Sequence, residues 1–241
     1  MDWTGDPLIE KQVHEQAFSL VCEGRSVPGL LWKPPQSTSV KQIVLLGHGG
    51  TLHKRAPYIL STARRLVKQY GMAAVAIDGP GHGERRARIP KDQGQARADF
   101  LTAWSEPDAN EKIVADWKAA LDAAQAELGE GAVGYFGLSM GTMMGVPLMA
   151  AEPRIQAGVL GLMGVWGPNQ DTLIEEAPRI QCPVRFLAQW DDEVVPRETV
   201  LDLFGRLGSE EKSLRAHPGR HVEVPADEMR AVADFFAAHL D

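Results

Sequence analysis

Cysteine, long apolar runs and surplus positive charge are all scarce in this 241-residue chain, and each shortage removes a class of protein. Two cysteines, Cys22 and Cys182, are too few for a disulfide framework and fit free buried thiols in a reducing compartment. No apolar stretch approaches the roughly 18 residues that a membrane span requires, so no membrane partner is expected. Lys and Arg number 25 against 32 Asp and Glu, a net charge of −7. That balance disfavours non-specific binding to nucleic acid. The opening Met1-Asp2-Trp3-Thr4-Gly5-Asp6-Pro7 has neither a basic start nor an apolar segment, so no signal peptide and a cytoplasmic location are expected. Repeats and low-complexity segments are lacking too.

What is present is an ordinary globular composition, 44% hydrophobic and 24% charged, in a chain long enough to bury a core without staples. The expectation is a single domain over residues 1–241. Residues 13–33 read as two strands around Glu23-Gly24-Arg25, stopped by Pro34-Pro35, with a polar loop at 36–41. From there strand and helix alternate. Strands are expected at 43–46, 73–77, 132–138, 155–163, 183–190 and 211–216, and helices at 56–70, 108–128, 140–151, 198–207 and 225–240. Runs such as Ile43-Val44-Leu45-Leu46 are continuously apolar, which fits strands covered on both faces. The helices repeat their apolar residues at helical spacing, as at Ile59, Leu60, Ala63, Leu66 and Val67. Residues 84–107 and 164–182 read as irregular loops with short helices. Such alternation implies an α/β fold: a mostly parallel central sheet with helices on both faces, binding its ligand at the carboxyl ends of the strands.

The residues with chemistry to offer fall at those ends. Gly137-Leu138-Ser139-Met140-Gly141 matches G-x-S-x-G, which chance would supply about 0.1 times in a chain of this composition. Its place between a strand and a helix is that of a nucleophile elbow, which presents a serine above the sheet edge. A serine hydroxyl is a weak nucleophile and needs a histidine base oriented by a carboxylate. After Ser139 only His217, His221 and His239 remain, and His221 lies in a loop that can swing over the elbow. Asp191, Asp192 and Glu193 all follow the preceding strand, and position alone does not choose among them. The developing oxyanion needs donors. The Met140 N–H supplies one, and the Gly47-His48-Gly49-Gly50-Thr51 loop supplies the other, from Gly50 first and Thr51 second. His48, His53 and His82 are near the same edge, but no H-E-x-x-H or similar ligand pair occurs, so neither a metal nor another cofactor is expected.

These segments resemble the α/β-hydrolase superfamily of serine hydrolases. Gly47 to Gly50 is similar to its oxyanion loop, Asp78-Gly79-Pro80-Gly81-His82-Gly83 to its D-x-x-G-x-G turn, and Gly137 to Gly141 to its elbow. Asp192-Glu193-Val194-Val195-Pro196 resembles the acid motif D-x-x-V-P, which selects Asp192, and Gly219-Arg220-His221 resembles the G-x-H that carries the base. Only about 20 residues separate Met163 from Val184, too few for a lid domain, so the layout is similar to the small lidless dienelactone-hydrolase-like and carboxylesterase branches. Two departures stand out. Dienelactone hydrolases carry cysteine as nucleophile where this chain has Ser139, and Gln189 replaces a common glycine before the acid.

The resemblance implies hydrolysis of a small-molecule carboxylic ester through an acyl-enzyme on Ser139, with His221 as base and Asp192 as its orienting acid. A peptidase or amidase, a thioesterase or an acyltransferase would use the same triad, and a non-catalytic binding protein on this scaffold is the rival from another class. Thr51, Leu52, Trp104 and Trp166 are expected to line the substrate site. The local charge admits an anionic substrate as an alternative to solvated loop charges that bind nothing. Arg85, Arg86, Arg88, Lys91 and Arg97 against Glu84 and Asp92 leave a net of +3 beside the site, with Lys54 and Arg55 following the oxyanion loop.

Overall fold

The computed structural model describes residues 1–35 and 39–240, so part of the polar loop expected at 36–41 lies outside the described residues. Three antiparallel strands open the chain: Asp2–Glu10 (β1), Val13–Cys22 (β2) and Arg25–Lys33 (β3). Gln42–Gly47 (β4), Pro57–Tyr70 (α1) and Ala73–Ile77 (β5) follow, then a 3-10 turn at Gly83–Arg85 and the helices Gln93–Trp104 (α2) and Ala109–Leu128 (α3). Ala132–Gly137 (β6), Met140–Ala151 (α4) and Ile155–Gly161 (β7) form the centre. Gln170–Glu176 (α5), Val184–Gln189 (β8), Arg197–Arg206 (α6), Lys212–His217 (β9) and Ala226–His239 (α7) complete the described chain.

Among the described residues, nine strands join one sheet in the order β1-β2-β3-β5-β4-β6-β7-β8-β9. From β5 to β9 the pairing is parallel, so the carboxyl ends of these strands share one edge. The apolar runs are continuous because both faces are buried. In β4, Ile43 and Leu45 join the core beneath α3 and α4, while Val44 and Leu46 join the core beneath α1 and α7. Each such side chain withdrawn from water contributes about 1.5–3 kcal/mol. Helix α1 starts with Pro57 in its first turn and stops at Gly71, whose φ of 67° lets its N–H and that of Met72 cap the Val67 and Leu66 carbonyls. Among the described residues, no helix is long and apolar enough to cross a membrane.

Two elements depart from the sequence expectations. β1 precedes the first strand expected at 13, and its nine residues are all exposed. An edge strand with nothing to bury has no apolar alternation to read, and a bulge between Thr4 and Leu8, at Gly5-Asp6-Pro7, breaks its period as well. α2 lies within 84–107, expected to hold loops with short helices, and runs for 12 residues. Asp92 caps it by accepting from the Gln95 N–H at 2.8 Å, but only Trp104 among its residues is buried, so it lacks an amphipathic stripe.

α4 is buried nearly all round and contains Pro147. A proline has no N–H, so the Met143 carbonyl one turn earlier loses its helical partner. The Asn169 side chain, 3% exposed, donates Nδ2 to that carbonyl at 3.2 Å and so ties the segment before α5 to the central helix.

Candidate active site

Ser139 sits between β6 and α4 at φ 58°, ψ −119°. A non-glycine residue in such a conformation costs about 1–3 kcal/mol and persists only where its surroundings over-determine it. Here the Ser139 N–H donates to Gly161 O at 2.9 Å, and Thr142 Oγ1 accepts from the Gly161 N–H at 2.8 Å. The helix turns back close over β4: a Cβ on Gly141 would meet the Gly47 carbonyl oxygen at 2.5 Å, so no larger residue fits there. The hydroxyl is thereby held at the carboxyl edge of the sheet.

The structure brings Ser139, His221 and Asp192 together from three separate loops. Ser139 Oγ lies 3.0 Å from His221 Nε2, and His221 Nδ1 lies 2.7 Å from Asp192 Oδ2. A carboxylate only accepts, so Nδ1 carries the proton and Nε2 is free to accept from the serine. Asp192 Oδ1 accepts from the Val194 and Val195 N–H groups at 2.8 and 2.9 Å. Burial opposes the charge on Asp192, but the hydrogen bonds from His221 and the two amides override it and hold the carboxyl below its ordinary value.

The acids on either side have their own partners. Asp191 accepts from the Gly219 N–H at 3.2 Å. Glu193 accepts from the His221 N–H at 3.0 Å and pairs with Arg220 at 3.1 Å. The His221 amide, first, lowers the Glu193 carboxyl below its usual value. Gln189, in place of the common glycine, donates Nε2 to Arg220 O at 3.2 Å. Sequence reasoning missed this fastening by Glu193 and Gln189. The other two histidines lie elsewhere: His217 faces Glu228 at 3.3 Å, and His239 binds Phe235 O and Glu211.

In the loop after β4, hydrogen bonding decides which amides face outward. The Gly49 N–H donates to the Tyr58 hydroxyl at 2.6 Å, and the Thr51 N–H to His82 Nε2 at 3.0 Å. Among the described residues, the Gly50 and Met140 N–H groups donate to nothing. They are neighbours, since a Cβ built on Gly50 would lie 4.0 Å from Met140 Cβ. Behind the loop, His48 is fully buried, donates Nδ1–H to Gly49 O at 2.9 Å and accepts the Gly79 N–H on Nε2 at 2.9 Å. Burial first, then neighbouring His82, pushes its pKa down to about 3, so it stays neutral. His53 accepts the Arg55 N–H at 3.2 Å. Among the described residues, no group of three or more His, Cys, Asp and Glu side chains is arranged to hold a metal ion.

Residues 29–219 match the profile of the dienelactone hydrolase family. The chain belongs to the dienelactone hydrolase family. Among solved structures it is similar to a cold-adapted esterase from an Arctic intertidal metagenomic library, in its PEG-bound complex, with 45% identity, 100% of each chain covered and a TM-score of 0.91. A dienelactone hydrolase from Anabaena variabilis shares 22% identity over 95% of this chain and 100% of its own, with a TM-score of 0.70. An acetyl xylan esterase from Paenibacillus sp. R4 shares 19% over 99% and 88%, with a TM-score of 0.76. The last two likenesses bear on the fold alone. No curated protein matches the chain significantly. Fold and family together make it an α/β-hydrolase enzyme with no lid domain: between β7 and β8 stand only α5 and a 3-10 turn.

The residues expected to line the substrate site differ in exposure. Trp104 is 2% exposed and packed into the core, not at the surface of the site. One helical turn earlier, Phe100 reaches the loop after β4, 3.8 Å from a Cβ built on Gly50. Thr51, Leu52 and Trp166 stay exposed, on the loops after β4 and β7. Part of the positive charge expected to attract anions is paired. Lys54 is 3% exposed and pairs with Asp78 and Glu84, both at 2.6 Å. Burial works against the charge on Asp78, and Lys54 overrides it, holding the carboxyl low. Arg55 pairs with Glu15 and Arg85 with Asp116, while Arg86 donates to the Gly81 and Thr51 carbonyls. Among the described residues, Arg86 keeps its charge on neutral carbonyl partners, and Arg88 has only a 3.9 Å contact with Asp99.

Proposed function

We propose that this chain hydrolyses neutral small-molecule carboxylic esters through an acyl-enzyme on Ser139. His221 Nε2 takes the proton from Ser139 Oγ as the oxygen attacks the ester carbonyl carbon. The carbonyl oxygen becomes an oxyanion and is held by the Gly50 and Met140 N–H groups. Collapse breaks the bond to the alkoxide, which leaves with the proton from Nε2. Water then gives a proton to Nε2 and attacks the acyl carbon, and Ser139 departs with that proton as the acid is released. Asp192 keeps the imidazole in the productive tautomer and stabilises the imidazolium. The observation that carries this reading is the 3.0 Å contact from a strained serine to an imidazole already oriented by a carboxylate.

Sheet order supports an orientation for the substrate. The leaving oxygen must meet Nε2, which comes from the β8–β9 side of Ser139, so the alcohol lies toward Trp166 and Val194. The acyl group then lies toward the β4 and β5 loops, with Leu52 and Phe100. The free thiols Cys22 and Cys182 fit a reducing compartment, the cytoplasm.

A hydrolysis screen over acyl length tests the reading, with matched amide and thioester analogues and an ester bearing a free carboxylate. Neutral esters should turn over fastest, with little response to salt. Ser139→Ala should lower kcat by about a thousandfold or more and abolish labelling by a fluorophosphonate, while leaving the fold intact. Substantial ester turnover in that variant would overturn the assignment.

A further inference from the structure

The Gly50 N–H lies in the Gly49–Gly50 peptide plane, and it keeps its aim only if that plane and the one after Gly50 are both stopped from rotating. The plane before Gly50 is held at the Gly49 carbonyl by His48 Nδ1–H at 2.9 Å and the Leu52 N–H at 3.3 Å. A trans peptide points its N–H away from its C=O, so that grip on Gly49 O turns the Gly50 N–H to the opposite side. The plane after it ends in the Thr51 N–H, accepted by His82 Nε2 at 3.0 Å. Thr51 adopts φ 63°, a left-handed conformation that a β-branched residue avoids without support. Its carbonyl is also held, by Arg86 Nη2 at 3.0 Å. His82 is itself fixed: 1% exposed, it donates Nδ1–H to Pro80 O at 2.7 Å, and its ring lies 5.9 Å from Phe100 and 5.4 Å from His48.

We propose that His82 is a positioning residue for ester hydrolysis: it locks the Gly50–Thr51 peptide plane while Arg86 holds the next plane at the Thr51 carbonyl, and together they keep the loop from turning the Gly50 N–H away from the reacting oxygen. The inference rests on the esterase reading of Ser139 and concerns a residue that touches no substrate. His82 serves only in the neutral form with the proton on Nδ1, because Nε2 must accept. Its partners Pro80 and Thr51 lie on different loops, so the ring couples the turn after β5 to the oxyanion loop after β4.

A donor that is misaimed but not deleted should cost less than the roughly 100- to 1,000-fold of a lost oxyanion donor. His82→Phe keeps the ring but no acceptor, and His82→Gln keeps an acceptor. Each is assayed per active site titrated with a fluorophosphonate, so that misfolded protein is not counted. His82→Phe should lower kcat about 10- to 100-fold with KM changed less than threefold, and His82→Gln should recover most of the loss. The inhibition constant of a trifluoromethyl ketone, which places an oxyanion in the same hole, should rise by the factor by which kcat falls. Arg86→Met should act in the same direction and add little to His82→Phe, since both work through Thr51. Unchanged kcat per titrated site, or a fall in kcat that leaves the ketone's affinity untouched, would overturn the proposal. If His82→Phe does not accumulate folded, the same two readouts on Arg86→Met decide. A wild-type protein with neither ester turnover nor labelling at Ser139 would instead defeat the esterase reading, and this inference with it.

Discussion

Asp191, Asp192 and Glu193 stand side by side in the chain yet fasten one loop at three different atoms: the Gly219 amide, the His221 ring and the His221 amide. Successive side chains point in different directions, so only one of the three can reach the imidazole. Composition and position cannot say which, because all three read as acids in a turn. The D-x-x-V-P resemblance singles out Asp192, and the Val194 and Val195 amides on its other oxygen show why that spacing matters. Glu193 is harder to read, since its partner is a backbone N–H some 28 residues away. The three should separate by size of effect. Asp192→Asn should lower kcat by about a thousandfold, since the amide favours the wrong tautomer and cannot stabilise the imidazolium. Glu193→Gln removes a charge from the bond to the His221 amide and should cost about three- to tenfold. Asp191→Asn should stay within about threefold. Steady-state kinetics on one ester ranks them, and a larger loss at Asp191 than at Asp192 would contradict the geometry.

Among the elements, those with a periodic apolar face are legible and those without are not. β4, β5 and β6 announce themselves because both sheet faces are covered, and α1 because proline and glycine bracket a regular stripe. β1 and α2 bury too little to leave a pattern. The elbow is readable for a different reason: a close helix–strand approach excludes side chains, so glycines mark it directly. Asn169 shows the limit. Pro147 falls inside the helix expected at 140–151 and leaves the Met143 carbonyl unpaired, but only the fold shows that Asn169, 26 residues on, supplies its donor. Asn169→Leu should therefore destabilise by about 1–3 kcal/mol, the cost of a buried acceptor left without a donor. Urea unfolding would show this as a lower midpoint at unchanged slope.

For the molecule as a whole, pH acts through histidines that the fold keeps neutral. His48 is held near a pKa of about 3 against an ordinary 6.5, so the unfolded chain takes up its proton first as pH falls. Stability from this group is complete above pH 6.5 and is lost toward pH 3. His82 acts in the same direction, its pKa lowered chiefly by burial. Melting temperature should fall steadily from pH 7 to pH 4, and His48→Gln, which carries a donor and an acceptor but does not titrate there, should flatten the slope. Heat should find a different weak point. Ser139 is rooted at the centre of the sheet, whereas His221 follows β9, which among the described residues is an edge strand paired with β8 alone. Edges open locally at lower cost than the interior. Warming should thus part the base from the nucleophile while the bulk of the protein stays native, so that catalysis has its own, lower midpoint. Residual turnover followed against temperature should drop several degrees before the circular dichroism does, and should return on cooling if the protein is not held long enough to unfold. The enzyme would then switch itself off in warm surroundings without being destroyed by them.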